Sequence, residues 1–246
     1  MRRFFSEVTD GIDEITLSKD DMNHILKVLR LGCGEKIVVC DGMGKDYLCE
    51  LVNTDGNVAA KVLSAGPCLA EPKVKVTLFQ GLPKADKMDL IIQKCVEIGV
   101  SEIVPVVTER SVVKLNGKEA AKVSRWRKIA ESAAKQAGRG IIPHVGDIVG
   151  FKQGVGKLKK HENGIVAYEG ERELSIKAYL NKKAYNNIPP LQLAIFIGPE
   201  GGFSDKEILD IKEAGITPVS LGKRILRTET AGMAALTAIL YEFNDI

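Results

Sequence analysis

Near residue 200 the chain reads Gly198-Pro199-Glu200-Gly201-Gly202-Phe203, directly after the apolar run Leu191 to Ile197 and directly before Ser204-Asp205-Lys206-Glu207. Three glycines and a proline make a turn of fixed course that another molecule can approach closely, with one carboxylate, Glu200, at its apex. A plain strand-to-helix turn needs only one or two glycines, so the surplus points to a loop that handles a ligand. Ser204 with Glu207 three residues on is a capping box and opens the next helix. A second glycine-bearing loop, Leu221-Gly222-Lys223-Arg224-Ile225-Leu226-Arg227, leads into Thr228-Glu229-Thr230-Ala231-Gly232-Met233-Ala234-Ala235. Thr228 is a candidate N-cap, and Glu229 lies where the positive end of a helix favours an acid, which accounts for it as well as catalysis does. The Ala- and Gly-rich helix suits close approach by a backbone, either the sheet or a second subunit.

Neither loop is a phosphate cradle. The chain has no Gly-x-x-x-x-Gly-Lys-Ser/Thr, and Gly42-Met43-Gly44 lacks the third glycine and following helix of a dinucleotide fingerprint. A nucleoside-like ligand without phosphates, held by main-chain groups, fits better, and adenosine joined to methionine is such a ligand.

The elements that must position these loops alternate between β and α. Strands are expected at Val74 to Phe79, Glu102 to Val107, Ile165 to Tyr168, Leu191 to Ile197 and Pro218 to Leu221. Helices are expected at Lys84 to Ile98, Gly117 to Gln136, Leu174 to Leu180, Ser204 to Ala214 and Thr228 to Phe243. Strands separated by such helices pack as a mostly parallel sheet covered on both faces, with ligands beyond its carboxyl ends. The Lys/Gly-rich stretch Gly150 to Lys160 reads as an exposed loop. Before residue 70 the pattern is different: one helix from Ser18 to Arg30, capped by Ser18 and stopped by Gly32, then short β-like runs with turns at Asp41-Gly42 and Asp55-Gly56. That predicts a small antiparallel sheet or barrel, followed by a linker at Ala65 to Pro72.

With 45% hydrophobic and 27% charged residues, the 246-residue chain has the balance of a globular protein and room for two cores. No apolar run approaches the roughly 18 to 20 residues that span a bilayer, and acids follow Met1-Arg2-Arg3-Phe4-Phe5 where a signal peptide would be apolar. No membrane association and a cytoplasmic location are therefore expected. Cys33, Cys40, Cys49, Cys68 and Cys95 are odd in number and widely spaced, so they read as reduced, buried thiols. His24, His144 and His161 stand apart from them, and no metal is expected. The net charge of +3 is uneven: residues 1–70 carry 8 Lys/Arg against 11 Asp/Glu, net −3, and the remainder 27 against 21, net +6. Any polyanion held by the front of the chain must meet a local basic patch.

Gly198 to Gly202 followed by Leu221 to Ala231 resembles the paired cofactor motifs of the knotted, SPOUT-type methyltransferases. More narrowly, the chain resembles the family that methylates N3 of a uridine in 16S ribosomal RNA of the small subunit. The resemblance extends over Met1-Arg-Arg-Phe-Phe5, His24 to Arg30, Gln93-Lys-Cys-Val-Glu-Ile-Gly99 with Val104-Pro105, and Gln136-Ala-Gly-Arg139 with Pro143. It implies an α/β chain with a PUA-like RNA-binding β-barrel domain over 1–70 and a parallel-sheet trefoil-knot methyltransferase domain over 71–246. It further implies a homodimer acting on 16S rRNA or the small ribosomal subunit. S-adenosylmethionine is expected within the knot, against Ile197, Gly198, Gly201, Gly202, Leu221, Gly222, Ile225 and Leu226.

Arg2, Arg3, Lys27 and Arg30 are candidates for a phosphate-gripping patch, with simple solvation as the alternative. Lys118, Lys122, Arg125 and Lys128 form a cationic stripe on the long helix that solvation also explains. Gln136 and Arg139 are placed near the substrate by the resemblance. Methyl transfer from a sulfonium is an in-line displacement, so catalysis rests on aligning the nucleophile and making it electron-rich. Uracil N3 must lose a proton. The expected roles are Arg227, helped by Arg139, stabilising the uracil anion, and Glu200 orienting the base or taking its proton; the alternative is that Glu200 only fixes its own loop. Two rival functions are a ribose 2′-O-methyltransferase of the same superfamily and a non-catalytic RNA-binding or ribosome-assembly factor.

Overall fold

The computed structural model describes residues 1–8, 11–54, 57–111, 117, 119–182 and 191–246; the Asp55-Gly56 turn and Lys118 of the cationic stripe lie outside them. The chain forms two compact units, Met1–Glu71 with Ala134–Ile142, and Pro72–Ala133 with Pro143–Ile246.

The first unit holds β1 (Arg3–Phe5), β2 (Glu14–Ile15), α1 (Lys19–Asn23), β3 (Lys36–Cys40), β4 (Lys45–Thr54) and β5 (Asn57–Pro67). The strands form one sheet in the order β1-β3-β4-β5-β2, antiparallel except for the β1–β3 pair. Alternation buries one face, bringing Phe4, Ile37, Val39, Tyr47, Cys49 and Leu51 into a core with Ile15 and Ile25. Ser18 caps α1 by accepting from the Asp21 N–H at 3.0 Å. The helix is shorter than its polar pattern suggests: it widens into a π-type turn over His24–Val28, and its stop is Arg30 at φ +55°, not Gly32. The expected linker, residues 65–72, is partly strand, because β5 keeps pairing with β4 as far as Pro67 opposite Lys45.

The second unit holds β6 (Lys75–Gly81), α2 (Lys87–Ile98), β7 (Glu102–Val107), most of α3 (Glu119–Ala137), β8 (His144–Val145), β9 (Val149–Gly150) and α4 (Phe151–Leu158). It continues with β10 (Gly164–Ala167), α5 (Ile176–Lys182), β11 (Gln192–Ile197), α6 (Asp205–Glu213), β12 (Thr217–Val219) and α7 (Thr228–Glu242). Its seven strands are all parallel, in the order β12-β10-β11-β6-β7-β8 with β9 also on β7. Central strands buried on both faces read as unbroken apolar runs, as β11 does. Phe79, Val106, Phe196 and Phe203 anchor one core cluster of this unit.

Residues 150–160 are a correction: most of what reads as a lysine-rich loop is α4. Phe151, Val155 and Leu158 recur at helical spacing and pack into the core, and Gly154 lets Val106 come within about 3.0 Å of where a Cβ would stand. The lysines mask that face because they occupy the other side. The two-residue strands β8 and β9 are too short to carry a pattern.

β12 lies at the sheet edge beyond β10, yet α7 packs against β11, β6 and α2. Residues 220–227 therefore return over the carboxyl ends of β10 and β11. Such crossing back over earlier connections is what a knot requires and what chains otherwise avoid.

Candidate functional site

A cavity of about 470 Å³ opens at the carboxyl ends of β10, β11 and β12. Residues 167–169, 197–200, 202–203 and 220–228 line it, joined by Lys87 of α2 and Ala231 of α7. Both glycine-bearing loops meet here as expected. The third loop, after β10, was not singled out from the sequence, although the rule that led to the other two applies equally to the strand before it.

Hydrogen bonds hold the loops together. The Thr228 hydroxyl donates to Gly198 O at 2.6 Å and accepts from Gln80 Nε2 at 2.9 Å, so the first residue of α7 is tied to the β11 loop and to β6. Thr228 is thus not the N-cap; Arg227 stands there, with no side-chain cap bond. The capping box of α6 is present, and Glu207 does double duty: Oε2 accepts from Ser204 N and Oε1 from Glu109 N. Gly202 has φ +66°, which strains any other residue, and a Cβ on it would lie 2.5 Å from Glu169 Oε1, so a side chain there would push the glutamate aside. The Gly201 carbonyl accepts from Arg110 Nη1 at 3.0 Å, and Gly201 is not among the residues that line the cavity. Ile197, Gly198, Gly202, Leu221, Gly222, Ile225 and Leu226 all line the cavity.

Glu200 is engaged by its own scaffold. Its carboxylate accepts from the Lys84 N–H at 3.1 and 3.2 Å and pairs with Lys87 Nζ at 2.9 Å. Burial alone would raise its pKa, but the bond from Lys87 and the backbone N–H groups outweigh it and hold the carboxyl below its ordinary range. Lys87 also lies 3.4 Å from Glu229 Oε2, an ion-pair distance longer than a direct hydrogen bond, and that buried oxygen has no hydrogen-bond partner among the described residues. Both acids hold the lysine in its charged form, Glu200 foremost. Arg227 is exposed on the cavity wall, and no hydrogen bond or ion pair engages its guanidinium among the described residues. Lys223 and Arg224 stand exposed beside it.

Two expected residues have other work. Arg139 is 2% exposed and belongs to the first unit, where Nε and Nη2 fork onto Glu71 at 3.2 and 2.9 Å. Glu71 Oε1 also accepts from Gly140 N and Ile141 N, so the pair organises the loop that carries the arginine. Arg3 forks onto Asp46 at 2.6 and 2.9 Å and lies among Cys40 and Cys68, so part of its guanidinium is already engaged within the unit. Arg2, Lys27, Arg30 and Gln136 are exposed. Of the cysteines, burial and a bond to Asp46 push Cys40 up to about 12, and burial takes Cys95 to about 12, as inert thiols; Cys33, expected buried, is exposed.

A parallel sheet with a trailing connection crossing back over its ligand cavity, preceded by a small PUA-like barrel, defines the trefoil-knot class of α/β proteins. Residues 70–240 match the family described as RNA methyltransferase domain, and residues 17–63 the RNA methyltransferase PUA domain. The chain is 36% identical over 250 residues to ribosomal RNA small subunit methyltransferase E of Bacillus subtilis, covering 98% of this chain and 97% of that one. The Synechocystis protein of the same name is 34% identical over 92% of this chain and 72% of its own. A crystal structure of ribosomal RNA small subunit methyltransferase E from Neisseria gonorrhoeae bound to S-adenosyl methionine superposes with a TM-score of 0.84 at 32% identity, covering 98% of both chains. The chain belongs to this RNA methyltransferase family.

Proposed function

We propose that this protein transfers a methyl group from S-adenosylmethionine to N3 of a uridine in 16S ribosomal RNA, as a cytoplasmic homodimer. The carrying observation is the cavity itself, lined by three strand-end loops and bordered by an arginine without a partner among the described residues. Its residues suit the cofactor. A volume of about 470 Å³ takes a nucleoside-sized molecule. Ile197, Leu226 and Ala231 supply apolar surface for a purine, and close-packed loop backbones supply donors and acceptors. Glu169 and Glu200 provide negative charge toward a sulfonium. The cofactor contributes an activated methyl on a positively charged sulfur. The chain contributes alignment and charge.

Arg227 is the group assigned to the base. A cation in a partly enclosed site stabilises the anion left when the N3 proton departs, and among the described residues Arg227 has no partner to give up first. Glu200 is assigned to hold its loop: a carboxylate already engaged by Lys84 N and Lys87, with a lowered pKa, is a weak proton acceptor. In the first unit Arg2, Lys27, Arg30 and Gln136 are the exposed residues assigned to the RNA backbone. For the dimer, α2 and α7 pack together and leave Leu90 and Tyr241 exposed, which supports a second copy there.

The test is methylation of 16S rRNA, free and in small subunits, read by primer extension. Methylation at N3 blocks Watson–Crick pairing and halts reverse transcription at one uridine. A modified nucleotide that leaves the pairing edge intact would make the protein a ribose methyltransferase. RNA binding without saturable cofactor affinity by calorimetry would make it an assembly factor.

A further inference from the structure

Lys87 belongs to neither glycine-bearing loop, yet it links three elements around the cavity. It stands in the first turn of α2, 2.9 Å from Glu200 of the β11 loop and 3.4 Å from Glu229 in the first turn of α7. The trio holds two carboxylates and one ammonium. Lys87, Glu200 and Arg227 all line the same cavity, and Arg227 is only two residues before Glu229. Glu229, with a side chain only 14% exposed, is the acid for which losing its partner matters most, because an unpaired charge withdrawn from water is costly and is drawn to another cation within reach. The remaining cations on that wall are Lys223, Arg224 and Arg227.

The geometry points to Lys87 as a positioning residue for methyl transfer: it engages Glu200 and Glu229 so that neither carboxylate captures Arg227, which stays free for the substrate base. This deepens the methyltransferase reading and rests on it. Lys87 touches no reacting atom. It acts by fixing where the acids lie, through one contact to each of the two segments that flank the cavity.

The division of labour can be read in rates. Methyl transfer to 16S rRNA is measured at saturating cofactor for the parent and three variants, with cofactor affinity followed by calorimetry. Lys87→Met lowers kcat by roughly ten-fold or more while cofactor affinity stays within about three-fold, the pattern of a misplaced catalytic group in an intact site. Lys87→Arg, which keeps charge and reach, retains most of the rate. The decisive variant adds only Glu229→Gln to Lys87→Met, leaving Glu200 to hold its loop. Removing the acid that stands two residues from Arg227 restores several-fold of the lost rate, which a loss of packing would not. Parent-like turnover in Lys87→Met, or no recovery in the combined variant, overturns the inference. A parent that neither binds cofactor nor methylates RNA overturns the functional reading instead, so the two failures are distinct.

Discussion

The arginines of the two units stand in opposite circumstances. In the first unit Arg139 and Arg3 are each forked onto one carboxylate, Glu71 and Asp46, with side chains 3% and 14% exposed. In the second, Arg227 is exposed on the wall of a cavity with no partner among the described residues. All three looked alike as candidates for the RNA or the reaction. A guanidinium has five donors in one plane, and once two of them grip a buried carboxylate the group has become part of the scaffold. The difference teaches that a cation's availability, not its presence, marks function.

The contrast breaks most sharply at Arg139. Arg139→Ala leaves Glu71 buried without its counter-charge, and deleting one partner of a buried pair costs about 3–5 kcal/mol. Thermal or denaturant unfolding should show that loss, whereas cofactor binding in the second unit should persist below the transition. Arg227→Ala should do the reverse. Its midpoint of unfolding stays near the parent's, and kcat falls by about 10²-fold, the scale for removing one donor to a developing anion. Glu200→Gln belongs with it as the milder change, since Gln keeps an acceptor for Lys84 N. Parent-like turnover in both would end the role given to this wall.

These two arginines also show how far the sequence could be followed. The alternation of strands and helices was legible, because central parallel strands are unbroken apolar runs and the helix at Ser204 carries its capping box openly. Two of the three cavity loops were legible from glycine excess next to those strands, and the loop after β10 was not. Pairing was not: nothing local says that Glu71 lies under Arg139, 68 positions away, or that Asp46 faces Arg3. Lys87 escaped for the same reason, since its partners come from two distant segments. α4 escaped because lysines on its outer face hid the apolar one, and Cys33 because a lone exposed thiol has no sequence signature. A hydroxyl favours Thr228 at the cap by residue type, but Arg227 stands there and the fold uses the Thr228 hydroxyl to bind Gly198 and Gln80.

A smaller effect is expected where a loop contact depends on a missing side chain. Gly202→Ala adds a Cβ at φ +66°, a conformation costing roughly 1–2 kcal/mol for a non-glycine residue, and places it 2.5 Å from Glu169 Oε1. The far end of a glutamate can move aside, so the fold survives. The cavity wall shifts, and cofactor affinity should fall by roughly ten-fold in calorimetry, in keeping with that energy. Full affinity in Gly202→Ala would mean that the β10 and β11 loops need not touch to form the site.

The smallest effect concerns the first unit in acid. Burial would raise the pKa of Asp46, but the Arg3 fork and the neighbouring Cys40 outweigh it and hold the carboxyl below its ordinary value. A carboxyl lowered by folding adds stability above its unfolded pKa, near 3.9, and that share is lost as pH falls through the lower folded value. Asp46 is 22% exposed, so solvent screens part of the interaction and the contribution is modest. The parent should therefore lose stability below about pH 4, and Asp46→Asn, less stable at neutral pH, should lose less of what remains over the same window. Unfolding midpoints compared at neutral pH and in that window measure it. Parallel curves would mean that the fork is held in place by burial of the arginine stem and that its charge adds nothing, which would move Arg3 away from Arg139 in the comparison and toward a packing residue.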